Sequence, residues 1–99
     1  MSKPFSKDTR INHSDYVAPS GFRAFPEPTY RASTVLFDSV DALRSRQWIG
    51  RDSYTYGLHG TPTTFTLEAQ LAEIEGGKHA VLEPSGLAAI TIVDFAFLK

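Results

Sequence analysis

The sequence contains no cysteine, which removes disulfides, thiolate metal sites and a cysteine nucleophile from its possible chemistry. It also lacks an excess of either charge: ten Lys and Arg stand against eleven Asp and Glu, a formal net of −1 in 99 residues. Mixed along the chain, these charges make no single-signed field for nucleic acid or an anionic membrane surface, so neither is an expected partner. Long hydrophobic runs are missing too. The longest uncharged apolar stretch, residues 84–93, contains a proline and a glycine and falls far short of the roughly 20 residues a membrane helix needs. The N-terminal "MSKPFSKDTRINHSDY" has basic residues with no apolar segment behind them, so it is not a secretory signal, and a cytoplasmic location is the expectation. No GxGxxG or Walker pattern occurs, which argues against dinucleotide and nucleoside-triphosphate sites. His13, His59 and His79 form no i, i+3 or i, i+4 pair on one helical face, so no metal site is expected.

What the sequence does contain is an ordered series of short elements. Residues 1–28 are polar, punctuated by proline and without period, and read as an extended arm that packs on something else. From residue 29 to 99 the pattern is that of an α/β domain. "TYRASTVLF", residues 29–37, is rich in β-branched and aromatic residues and reads as a strand. "DSVDALRSR" reads as a short helix, with Asp38 or Ser39 as cap and Val40 and Leu43 in contact. "QWIGRDSYTYGLHG" has no period and reads as a loop. Thr61 before Pro62 predicts a helix start, Gly76 and Gly77 a stop, and Leu67, Leu71 and Ile74 a buried face, with Glu68, Glu73 and Glu75 off it as solvated charges. "HAVLE" reads as a second strand, and "SGLAAITIVDFAFLK" as the start of a last helix.

That last helix is apolar nearly all round, so it must be buried on several sides, and the preceding residues cannot supply that cover. One strand followed by one helix is also half of a βαβ crossover, which needs a further parallel strand. The expectation is therefore the beginning of a larger α/β protein.

Two stretches carry candidate chemistry. In "VLEPSGLAAI", a helix N-terminus offers unpaired N–H groups and a positive dipole end. Gly86 lets a phosphate approach the backbone, and Ser85 adds a hydroxyl. The plain alternative is that Ser85 is only an N-cap and Gly86 a turn residue. In "YTYGLHGTPTT", Tyr54 and Tyr56 either bind a phosphate oxygen or an aromatic cofactor, or are packing aromatics with wet hydroxyls. Lys78, next to the helix-stopping glycines, reads as a surface charge rather than a desolvated nucleophile. No catalytic lysine and no Ser-His-Asp arrangement is visible.

Taken in order, "RASTVLFDSV", "YGLHGTPTTFTLEAQLAEIEGG" and "VLEPSGLAAI" closely resemble the N-terminal part of the Cys/Met-metabolism family of pyridoxal-phosphate enzymes, over about residues 28–99. The resemblance implies a fold-type I, aminotransferase-like α/β subunit several times longer than this chain, assembling as a homotetramer of tight dimers. It implies pyridoxal 5′-phosphate as cofactor, held through its phosphate by Ser85 and the helix-start backbone of Gly86 and Leu87. Tyr56 would reach the same phosphate from a neighbouring subunit. The implied activity is that of a carbon–sulfur lyase cleaving cystathionine by β-elimination to homocysteine, pyruvate and ammonia. The alternatives are a related γ-lyase, γ-synthase or sulfhydrylase, or a non-catalytic phosphate-binding or oligomer-interface module. One departure stands out. The family pattern is commonly Tyr-x-Arg, and Leu58 occupies the arginine position, losing a charge-assisted phosphate contact that His59 or Arg51 is expected to replace. The family's cofactor-bearing lysine would fall far beyond residue 99, as would the acid that pairs the pyridine nitrogen and the arginine that binds the substrate carboxylate. The chain by itself is expected not to turn over.

Overall fold

A computed structural model describes residues 6–14, 16–46 and 53–99 of the chain, and among them the regular elements are four helices: α1 Lys7–Arg10, α2 Val40–Arg44, α3 Pro62–Glu75 and α4 Gly86–Phe97. Three of these correspond to helices legible in the sequence. Ser39 caps α2, its Oγ accepting from the Ala42 N–H at 3.1 Å. Thr61 precedes α3 with Pro62 at the first helical position, and Gly76 ends the helix with φ 71°, a left-handed backbone that glycine adopts without a Cβ penalty. Ser85 caps α4.

No strand forms among the described residues. The segments expected as strands, 29–37 and 79–83, carry no ladder, because a strand requires a neighbour to accept and donate its backbone hydrogen bonds and neither segment finds one. The expected α/β architecture is thus not displayed by the described residues, whose regular elements are all helical. The arm differs in the other direction. Residues 1–28 were expected to be extended, yet Ser6 caps a one-turn helix at Lys7–Arg10 by accepting from Thr9 N–H at 3.3 Å. This turn packs on α3, where Arg10 pairs with Glu73 at 2.6 Å.

The face of α3 that is buried also departs from expectation. Leu67 and Ile74 are exposed and Leu71 is half-buried, while Phe65, Glu68 and Ala72 are buried. Both sets lie at helical spacing, so periodicity alone does not choose between them. The choice is made by what packs there: the Tyr54 ring stacks on Phe65 with centroids 5.5 Å apart. Glu68 is therefore not a solvated charge, being 5% exposed, while Glu73 stays partly exposed and is ion-paired to Arg10. Glu75 is exposed as expected.

Threonine hydroxyls fasten the start of α3 to the chain before it. The Thr64 hydroxyl accepts from Thr61 N–H at 2.8 Å and donates to the Thr61 carbonyl at 3.1 Å. Thr63 Oγ1 accepts from Tyr30 N–H at 2.7 Å and donates to the Pro28 carbonyl at 3.4 Å. Helix α4, by contrast, stands bare. Leu87 is 75% and Phe95 83% exposed, and no residue of α4 is buried, as expected for a helix whose cover comes from elsewhere. No helix among the described residues is long and apolar enough to cross a membrane.

The arm is also tied to residues 27–30. Ser14 Oγ donates to the Glu27 carboxylate, which holds that carboxyl below its ordinary range. The Tyr16 and Tyr30 hydroxyls are 2.7 Å apart, and this hydrogen bond is the main cause that pushes the Tyr16 phenol up to about 12. A raised phenol favours the neutral, folded form. Its contribution is complete below the ordinary tyrosine range and is lost as pH rises through about 12. In an ultraviolet tyrosinate titration one tyrosine is expected to ionise well after the others, and Tyr30→Phe should return it toward about 10, the ordinary value. A wild-type titration with no late step would contradict the contact.

Candidate functional site

At the start of α4 the chain offers donors with no partner among the described residues. The first N–H groups of a helix lack a carbonyl one turn back, and here these belong to Gly86 and Leu87, while Ala88 N–H is taken by Ser85 Oγ at 3.0 Å. Ser85 is thus the helix cap of the plain reading. That role uses a lone pair of the hydroxyl and leaves its proton free to donate, so capping and anion binding are compatible in one residue. At Gly86 a Cβ would meet nothing within 4 Å. Among the described residues nothing crowds that position, and the room of a side chain stays open beside the N–H groups.

These features fit a phosphate. The donors converge at the positive end of a 12-residue helix, where an anion is favoured by the dipole and by direct hydrogen bonds. Ser85 and Leu87 line a shallow surface depression with Ala88, Thr91, Ile92 and Phe95, and Glu83 lines it too. Sequence reading passed over Glu83. An acid among the lining residues has the wrong charge for an anion, so affinity there has to come from backbone donors and the helix dipole.

The loop bearing Tyr56 is built by close backbone contact. Gly57 N–H donates to the Ser33 carbonyl at 2.6 Å, and the Tyr56 carbonyl accepts from His59 and Gly60 N–H at 3.0 and 3.1 Å. A Cβ on Gly57 would fall 1.9 Å from the Ala32 carbonyl oxygen, and one on Gly60 1.8 Å from the Phe65 ring, so both positions exclude any side chain. Tyr56 itself is 40% exposed and lines an open, largely apolar groove with Thr55, Val35, Phe37, Val40 and Leu43. Both tyrosines of this loop stay partly exposed, Tyr54 at 43% and Tyr56 at 40%, and what separates them is that the Tyr54 ring stacks on Phe65.

Tyr56 and the Ser85–Leu87 turn line different depressions of the single chain. His59 sets its ring edge-on to Phe65, with centroids 6.1 Å apart, and Arg51 lies outside the described residues. Leu58 is exposed. Lys78 is exposed, as expected. No group of three metal-ligating side chains occurs among the described residues.

A model of the family described as Cys/Met metabolism PLP-dependent enzyme matches residues 8–99, reaching into the arm that the sequence motifs left out. The chain is 39% identical over 101 residues to cystathionine beta-lyase of Bordetella avium, covering 99% of this chain and 23% of that protein. It is 39% identical to L-alanine/L-glutamate racemase of Wolbachia pipientis, over 73% of this chain and 20% of that protein. It is 38% identical to L-methionine gamma-lyase of Fusobacterium nucleatum subsp. polymorphum, over 73% of this chain and 18% of that protein. The chain thus spans less than a quarter of the length of these relatives. No solved structure gives a significant match.

If the depression at α4 takes an anion, removing the nearby negative charge should help it. Glu83→Gln is expected to raise the affinity for inorganic phosphate roughly threefold to tenfold at low ionic strength, and less in high salt. An unchanged affinity, measured by calorimetry, would place the anion elsewhere.

Proposed function

Because the chain belongs to the family of Cys/Met metabolism PLP-dependent enzymes, we propose that it supplies the phosphate seat of a carbon–sulfur lyase. The observation that carries this reading is the start of α4, where two N–H groups without partners among the described residues, a capping serine with a proton to give and an uncrowded glycine come together. In this reading Gly86 and Leu87 donate their N–H groups to the phosphate of pyridoxal 5′-phosphate, and Ser85 donates its hydroxyl. The cofactor, when bound, supplies an electron sink for the carbon bearing the substrate's amino group. The chain's own residues bind and orient it.

Tyr56 completes the seat from a second copy of the chain in the assembled oligomer. Its placement in a groove apart from Ser85 and Leu87 supports that division, since a hydroxyl on one depression and donors on another need a neighbouring subunit to face each other. Leu58 contributes no charge to this contact, so phosphate binding leans on the helix start more than in relatives with an arginine there.

The substrate we assign is cystathionine, cleaved by β-elimination to homocysteine, pyruvate and ammonia, in line with the relative named cystathionine beta-lyase. A second reading, γ-elimination from a sulfur amino acid, is favoured by the nearly equal identity to the relative named L-methionine gamma-lyase. The phosphate seat serves both equally, because it touches a part of the cofactor remote from the reacting carbon.

The seat can be tested apart from stability. Gly86→Ala places a methyl in open space, so it is expected to leave thermal stability unchanged or raise it slightly, by about 0.5 kcal/mol. It should nevertheless weaken pyridoxal 5′-phosphate binding about tenfold, the equivalent of one charge-assisted hydrogen bond. Unchanged cofactor affinity in a fully folded variant would remove the assignment.

A further inference from the structure

Glu68 is a buried acid that nothing in the phosphate seat uses directly. It lies in the middle of α3, is 5% exposed, and its Oε2 accepts from the Leu82 N–H at 2.9 Å. Leu82 stands three residues before Ser85, on the segment that delivers the chain to the start of α4. Among the described residues, this is the only hydrogen bond made by residues 78–84.

Chain geometry shows why that bond matters. After Gly76 turns the backbone, with Gly77 N–H donating to the Ala72 carbonyl at 2.8 Å, the chain must return along α3 to the level of Glu68. From Glu68 to the end of the helix is about 10 Å at the α-helical rise, whereas the six residues from 76 to 82 can span about 20 Å when extended. The connection is therefore slack and does not determine which amide lies beside the carboxylate. The Glu68 to Leu82 bond does, with the carboxylate side buried and the Leu82 side partly exposed, and a carboxylate acceptor holds an N–H more strongly than a neutral one.

We propose that Glu68 is a positioning residue for the phosphate seat: its carboxylate locks the register of residues 78–84 against α3 and thereby sets where Ser85, Gly86 and Leu87 present their donors. The inference rests on the reading of those three residues as the seat and adds a residue that touches no part of the cofactor. It also accounts for an acidic side chain on the buried face of α3, where an apolar residue would pack at no desolvation cost.

The test uses the purified protein stripped of cofactor, titrated separately with pyridoxal 5′-phosphate and with pyridoxal, which lacks the phosphate. Glu68→Gln keeps a carbonyl acceptor at the same reach and is expected to bind pyridoxal 5′-phosphate within about threefold of wild type. Glu68→Asp keeps the charge but withdraws it by one methylene. It is expected to lose about tenfold for the phosphate form while leaving pyridoxal within about twofold. Hydrogen exchange gives a second measure: the Leu82 amide should be protected in wild type and Glu68→Gln and exchange faster in Glu68→Asp. The proposal is overturned if Glu68→Asp binds the phosphate form as wild type does, if both ligands weaken equally, or if the wild-type Leu82 amide is unprotected. Failure of the seat itself would look different, with wild type not distinguishing the two ligands and Gly86→Ala without effect.

Discussion

The hydroxyl of Thr64, held between the Thr61 N–H and the Thr61 carbonyl, secures the first turn of α3, and the described part of the chain is organised from that turn outward. Thr63, one residue away, binds the backbone at Pro28 and Tyr30, so the helix start and the segment after the arm are one unit. Phe65 follows, and its ring meets both Tyr54 and His59, which places the Tyr56 loop. One turn further, Glu68 takes hold of Leu82, which leads to the start of α4. A single helix, started by threonines and a proline and stopped by glycine, thus positions both halves of the candidate site.

This dependence explains what could be read from the sequence. Both ends of α3, the start of α4 and the position of α2 were legible because capping is local: a Ser or Thr before the first turn, and for α3 a glycine after the last, act within a few residues of themselves. The buried face of α3 was not. Phe65, Glu68 and Ala72 occupy one stripe and Leu67, Leu71 and Ile74 another, and only tertiary partners decide between them. The heavier aliphatic stripe was the natural choice, yet the stacked Tyr54 and the Leu82 amide select the other. Glu68 and Glu73 look like surface charges for the same reason, since their partners lie 14 residues later and 63 residues earlier. The strands were legible as composition but not as structure, because pairing is a property of two segments.

The candidate site was partly legible. Helix-end physics singles out Ser85 and Gly86 but leaves plain capping and anion binding as alternatives, and Leu87 enters only through the family resemblance; the hydroxyl geometry makes capping and anion binding compatible. From the residues alone Tyr56 is one of two equivalent tyrosines, and the family resemblance is what singles it out; the structure adds that Tyr54 stacks on Phe65. Glu83 and Glu68 carried no signal in the sequence, the first because its neighbourhood is set by the approach to α4 and the second because its role depends on a backbone amide. The bare face of α4 was anticipated from its composition, and it agrees with the chain's share of its relatives, which is below a quarter.

The central claim is that the start of α4 holds the cofactor phosphate and that Tyr56 reaches it from another copy of the chain. The most direct measurement is a crystal structure of the protein with pyridoxal 5′-phosphate bound. The account predicts phosphate oxygens within about 3 Å of the Gly86 and Leu87 backbone nitrogens and of the Ser85 hydroxyl, with the Tyr56 hydroxyl of a second subunit at the same phosphate. A phosphate bound away from α4, or contacted by Tyr56 and Ser85 of one and the same chain, would contradict it.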